Sequence, residues 1–485
     1  MVDRLRRIPP GLGALLAVSA LLAVTWACVT PAFQAPDEQR HYTYTQTLAE
    51  DFDLPGDPAK PPFSTQITEG MAAMNADQVA GQRTVKPEWS PDADRAWAAT
   101  QAAAARDDGG GPSPASTYPP ASYAWEAIGY RLAASGSLFD QLLGARLMSA
   151  FWLPFTVLGT WLLAGELFGR RRLLQTVAAS VPALAPMVVF ISGSVSPDGM
   201  LYAVWSFALW LGVRAIKRGV PVKDGAAFFA LVGLGCVVKA TSFALLPAAL
   251  LVAAYGLWAR RQHGVARVVK LGAIIAVPLA LTLGAWVLGA KLLDRLAAAQ
   301  ISDTTASAAG TNWREMLSYV WQYYLPRLPG QTDYPIQPIG GGYPLLQVWV
   351  TQGWGAFGWL EVKWAAGVYR VLGVVTVVIG AGAAAALWRA RRAIDWRVAT
   401  FLALACLSLL AGLHWTDYHQ LEAGSRGFMQ SRYLFPVIAV FGAALAAAVS
   451  VVPARVRPAV AGGTVAALFV FHLFAFGLVL SRFYA

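Results

Sequence analysis

Apolar runs of roughly 18 to 22 residues, the length that crosses a bilayer's hydrocarbon, recur along this chain and are separated by short basic clusters. The pattern predicts an all-α polytopic membrane protein with about eleven transmembrane helices. The first runs from Gly11 to Thr30, and Arg4, Arg6 and Arg7 before it place the N-terminus on the cytoplasmic side. A second starts near Ala145 and ends at Arg170-Arg171-Arg172. The third covers 173–192 and returns to Ser196-Pro197-Asp198, and the fourth goes in to Arg214, Lys217 and Arg218. A short fifth, 224–238, reaches Lys239, and a sixth descends to Arg260-Arg261. The seventh covers 271–290, and the eighth ends at Arg389, Arg391 and Arg392. The ninth rises to His414-Trp415-Thr416-Asp417, the tenth falls from Gln430-Ser431-Arg432 to Arg455 and Arg457, and the eleventh leaves the C-terminus outside.

Two stretches break the rhythm. Residues 31–144 contain no spanning run; they are rich in Pro, Asp and Gly, and an aromatic stretch opening at Tyr118-Pro119-Pro120 reads as an interfacial helix. Residues 291–366 are rich in aromatics. Both are expected as large extracytoplasmic loops of one integral membrane domain, 1–485. No internal repeat is visible.

Composition agrees: 56% of residues are hydrophobic and 13% charged, about half the charged fraction of a soluble chain. The net charge of +11 does not indicate nucleic acid, because the basic residues sit between apolar runs as the positive-inside rule requires. Cys28, Cys236 and Cys406 form neither a disulfide framework nor a metal spacing. The first segment has no small-x-small cleavage site, so it is read as retained. The location expected is the bacterial cytoplasmic membrane, among membrane lipids.

This topology puts Asp37, Glu38, His41, Asp198, Lys239, Asp417 and Arg432 on one outer face. Asp37-Glu38 offers a general base and its partner, or ligands for a divalent cation; the plain alternative is a solvated helix end. A carboxylate at a helix C-terminus opposes the macrodipole, which raises its basicity. Asp198 could simply cap the fourth helix. Lys239, between two apolar helices, needs a counter-charge or a phosphate if buried, or snorkels to the interface. Arg432 suits bidentate phosphate binding, or anchors at the interface beside Tyr433. His414 and His419 lie near Asp417, but not at the spacing of a helical zinc pair.

Pro36-Asp37-Glu38 with His41, Ser196-Pro197-Asp198, Lys239-Ala240-Thr241, Gly355-Ala356-Phe357-Gly358-Trp359 and Gln430-Ser431-Arg432-Tyr433 with Pro436 together resemble the bacterial membrane family called domain of unknown function 2142. Ser431 stands where Gly is expected, and Gln39 where proline is common. That family resembles the multi-spanning GT-C glycosyltransferases. The resemblance implies a GT-C-like fold, a polyprenyl-phosphate-linked sugar as donor and a cell-envelope glycan or lipid as acceptor. Asp37 would be the base. Glu38 would orient it or share a cation with it. His41, Asp198, Lys239, Gln430, Arg432 and Tyr433 would bind substrate. The reading is an extracytoplasmic glycosyltransferase of polysaccharide biosynthesis. The alternative is a transporter or flippase of lipid-linked glycans, which needs no base; near absence of acids inside the helices argues against proton coupling.

Overall fold

The computed structural model describes residues 8–82, 84–86, 91–101, 104–262, 264–292, 310–336, 342–424 and 427–485. The basic cluster at Arg4, Arg6 and Arg7 and parts of the second loop (293–309 and 337–341) lie outside them.

Helices occupy all eleven expected stretches. The first half contains α1 (Pro10–Val29), α2 (Glu38–Glu50), α3 (Ala121–Leu132), α4 (Leu138–Ala150), α5 (Leu153–Phe168), α6 (Arg172–Leu184), α7 (Pro186–Ser192) and α8 (Asp198–Lys217). The second contains α9 (Val222–Val238), α10 (Leu246–Ala259), α11 (Val265–Leu292), α12 (Trp313–Tyr324), α13 (Ala366–Ala390), α14 (Trp396–Glu422), α15 (Ile438–Ser450) and α16 (Arg457–Tyr484). Eight described segments are long and apolar enough to cross a membrane, or nine if the bent pair α6–α7 is one span. This is a multi-pass membrane protein, with fewer clear crossings than the eleven expected. One shortfall is α9: its 17 residues rise about 26 Å, less than the roughly 30 Å of hydrocarbon. The other is α11, whose apolar part is only Ala276–Gly289.

Local chemistry explains the boundaries that matter. The span of α4 and α5 begins at Leu138 rather than Ala145, because Ser137 and Asp140 form a reciprocal capping box there. The aromatic stretch becomes the separate short helix α3. The α6–α7 pair bends by 56° at Pro186, which has no N–H and keeps Ala185 extended. His472 Nδ1 donates to the Leu184 carbonyl at the bend (3.1 Å), and its Nε2 accepts from the Trp26 indole (2.9 Å). This buried histidine is thus fully satisfied and ties α16 to α1.

Helix α8 lies at the centre, with 78% of its apolar window buried, whereas α13 has 6% buried and faces outward. Around α8 the chain breaks three times at the same end. The α1–α2 loop carries Asp37; Lys239 is extended (φ −157, ψ 137) between α9 and a 3-10 turn; and a second 3-10 turn, Ser431–Val437, precedes α15. These breaks place polar side chains where helices would otherwise bury them among apolar neighbours.

Candidate active site

Helix α1 stops at Val29, since Thr30 precedes Pro31 and turns extended. The carbonyls left over at its C-terminus are collected by Arg146 of α4. Arg146 Nη1 donates to Ala27 O (3.0 Å) and Thr30 O (2.6 Å), and Nη2 to Pro31 O (3.0 Å). The same guanidinium pairs with Glu38 through Nε–Oε1 (2.8 Å) and Nη2–Oε2 (2.5 Å). Glu38 also accepts from the backbone N–H of Phe33 (3.0 Å) and Val195 (3.1 Å). Both residues are buried. Together they clamp the loop into a shape in which Phe33 and Asp37 take positive φ, 60° and 63°. Such strain persists only where the surroundings enforce it.

Asp37 sits at the tip of this loop. Its Oδ2 accepts from Arg432 Nη2 (2.6 Å) and its Oδ1 from Arg40 Nη1 (3.0 Å). Arg432, 3% exposed, also donates to Pro36 O (3.2 Å) and the Tyr433 hydroxyl (3.3 Å). The carboxylate therefore faces two guanidiniums, leaving one positive charge in excess. Burial pushes the Asp37 carboxyl up, but the neighbouring positive groups, Arg432 foremost and Arg40 least, hold it below its ordinary value.

The second charge pair is Lys239 Nζ with Asp198 Oδ1, at 2.6 Å and almost without exposure. Lys239 Nζ lies 5.7 Å from the centroid of Tyr118 and 5.1 Å from that of Tyr433; Arg432 Cζ lies 5.1 Å from the same Tyr433 ring. The two cations thus sit within twice that distance of each other, against one aromatic wall. His41 Nδ1 pairs with the Tyr123 hydroxyl at 2.8 Å. Burial pushes the imidazole down to about 3, so it is neutral at physiological pH. Behind it, Glu126 accepts from Thr45 Oγ1 (3.1 Å) and from the Ser196 N–H (3.1 Å). Burial pushes its carboxyl up to about 8, and its bond holds the turn into Asp198.

The fold brings Asp37, His41, Asp198, Lys239, Arg432 and Tyr433 together. Gln430 serves the backbone of the same turn, its carbonyl accepting from the Tyr433 N–H at 3.2 Å. Two expectations fail. Glu38 neither orients Asp37 directly nor shares a cation with it, because both its oxygens are taken by Arg146 and backbone N–H groups. With the Glu38 oxygens held by Arg146 and two backbone N–H groups and the Asp37 oxygens by Arg432 and Arg40, the two carboxylates do not fit a shared divalent cation. Asp37 is also not at the C-terminus of α1. It is the N-cap of α2, where the helix dipole stabilises negative charge instead of raising basicity.

Arg146, Tyr123 and Glu126 escaped the sequence reading, and Tyr118 was legible only as the start of an aromatic stretch. Arg146 carried a usable signal, a single guanidinium inside an apolar helix, which is the argument applied to Lys239.

A profile of the predicted membrane protein family DUF2142 matches residues 20–441. The chain belongs to that family. This DUF2142 protein matches no curated protein sequence. Among solved structures it is similar to the apo oligosaccharyltransferase of Archaeoglobus fulgidus, with 12% identity and a TM-score of 0.47, over 97% of this chain and 56% of that one. It is also similar to ArnT from Cupriavidus metallidurans in the apo state (16% identity, TM-score 0.45, 92% of this chain and 60% of that). For ArnT bound to undecaprenyl phosphate the values are 15%, 0.45, 97% and 72%. The DUF2142 chain therefore spans only 56% of the length of the archaeal enzyme.

Proposed function

We propose that this protein is an extracytoplasmic glycosyltransferase that moves a sugar from a polyprenyl-phosphate donor to a cell-envelope glycan or lipid. The observation that carries the reading is the buried Arg432, shared between Asp37 and the aromatic wall it has in common with Lys239. Two cations at a lipid boundary suit a lipid-linked phosphate, and a carboxylate held beside them suits proton removal from an acceptor hydroxyl. Nucleotide sugars are absent outside the cytoplasm, so a donor there arrives on a lipid.

In the resting arrangement Asp37 is a poor base, because Arg432 stabilises its anion. A donor phosphate competes for the same guanidinium. As Arg432 turns to the phosphate, Asp37 keeps only the more exposed Arg40 of its two counter-charges while staying partly buried, and its proton affinity rises. The acceptor oxygen then attacks the anomeric carbon. Its proton passes to Asp37, the bond from the anomeric carbon to the phosphate oxygen breaks, and the electron pair leaves with the polyprenyl phosphate. Arg432 and Lys239 stabilise that growing charge, a contribution typically worth about 3 kcal/mol per donor. His41, held neutral, and the Tyr118 and Tyr433 rings line the path of the sugar.

The test is release of polyprenyl phosphate by purified protein offered a panel of polyprenyl-phosphate sugars with envelope acceptors. Release that depends on acceptor supports the reading. Movement of lipid-linked glycan across proteoliposomes, with no release from any donor, replaces it with the flippase.

A further inference from the structure

The short turn that carries Arg432 is held from the far side by a polar chain starting in the second large loop. Helix α12 lies against the end of α14. Its Tyr319 hydroxyl donates to Asp417 Oδ2 (2.5 Å) and meets His414 Nδ1 (3.2 Å). The Tyr324 hydroxyl meets His414 Nε2 (2.7 Å). Asp417 Oδ1 in turn accepts the backbone N–H of Phe428 (2.7 Å) and Met429 (3.3 Å). Tyr319, His414 and Asp417 are all buried.

The proton positions follow from the pattern of bonds. Tyr319 has one proton and gives it to Asp417, so its oxygen accepts from His414 Nδ1–H. That tautomer leaves Nε2 free to accept from Tyr324. Every group is satisfied with no charge other than that of Asp417. The two amides it holds lie three and four residues before Arg432. Beyond them, Gln352 Oε1 accepts from the Ser431 N–H (3.2 Å), and the Tyr202 hydroxyl donates to the Arg432 carbonyl (3.2 Å). The Arg432 arm is thus fixed from three elements, and the Asp417 chain links one of them, α14, to α12 of the second large loop.

We infer that Tyr319, Asp417 and His414 are positioning residues: through the Phe428 and Met429 amides they set the placement of Arg432, coupling the docking of α12 to the phosphate site. This rests on the role proposed for Arg432, but the placement of the arm is measurable without it.

Hydrogen–deuterium exchange of the full chain in detergent reads the arm directly. The Phe428 and Met429 amides should be protected in the wild type and exchange faster in Tyr319→Phe and in Tyr324→Phe, the milder variant at the far end of the chain. Binding of undecaprenyl phosphate supplies the second readout. Tyr319→Phe should weaken it on the order of fivefold to tenfold, and should weaken it no further in an Arg432→Ala background. Unchanged amide protection in both variants overturns the inference. So does an equal loss of binding with and without Arg432, which marks a general structural defect. If protection falls but the wild type binds no undecaprenyl phosphate, the positioning chain stands and the phosphate reading fails.

Discussion

Replacing Glu38 by Gln separates a structural carboxylate from a chemical one. Glu38 accepts four hydrogen bonds, two from Arg146 and one each from the Phe33 and Val195 N–H groups. A glutamine keeps the shape but turns one oxygen into an NH2 group, which then faces one Arg146 nitrogen and one backbone N–H, all donors. Two bonds are lost and Arg146 becomes a buried cation without its counter-charge. Breaking a buried pair from one side costs about 3–5 kcal/mol. The loss falls on the loop bearing Asp37, so Glu38→Gln should unfold at lower temperature in detergent and bind polyprenyl phosphate less well. Arg146→Met should behave alike. The double variant Glu38→Leu with Arg146→Met should cost less than the sum, since it leaves neither charge unpaired. EDTA should change none of these values. Wild-type thermal stability in Glu38→Gln with its activity abolished, together with wild-type activity that EDTA removes, would refute the clamp and restore the cation.

Arg432→Lys should weaken binding of polyprenyl phosphate about tenfold, because an ammonium cannot hold phosphate and the Pro36 carbonyl in one plane. Lys239→Ala should also weaken it while leaving Asp198 as a buried unpaired carboxylate; unchanged affinity in both variants leaves the two cations only their structural ion pairs with Asp37 and Asp198. Glu126 is protonated in the folded protein to about pH 8 but ionises near its ordinary value when unfolded. The folded state therefore holds the extra proton between about pH 4.5 and 8, and stability falls as pH rises through that window. Glu126→Gln should flatten that slope of thermal stability against pH. Cysteine labelling from outside should reach positions near Gly110 and near Gly341, which lies outside the described residues, but not Arg171 or Arg391; labelling at Arg171 would overturn the orientation.

The helices and the set of polar groups at one end were legible in the sequence because apolar run length and breaks at proline and glycine are local properties. The count of eleven crossings is not confirmed, since α9 has only 17 residues and the apolar part of α11 is limited to Ala276–Gly289. The internal pairing was also hidden. Asp37 and Glu38 are neighbours, and adjacency suggested one shared task. The positive φ at Asp37 instead sends the two carboxylates to different partners, Arg432 and Arg146, 395 and 108 residues away. The sign of the dipole effect on Asp37 depended on whether the residue ended α1 or began α2. An eight-residue loop, 30–37, decides that, and its shape comes from tertiary contacts with Arg146 and from the bond between the Trp359 indole and the Phe33 carbonyl.

The central claim is that Asp37 and the donor phosphate compete for Arg432, and the affinity of Asp37→Asn for undecaprenyl phosphate tests it most directly. Asparagine keeps the size but releases the guanidinium. The pair is partly exposed, with Asp37 at 26%, so its net worth is about 1 kcal/mol. Asp37→Asn should therefore bind undecaprenyl phosphate several-fold more tightly than wild type while sugar transfer falls by orders of magnitude. Weaker binding by Asp37→Asn, or tighter binding with transfer intact, would contradict the account.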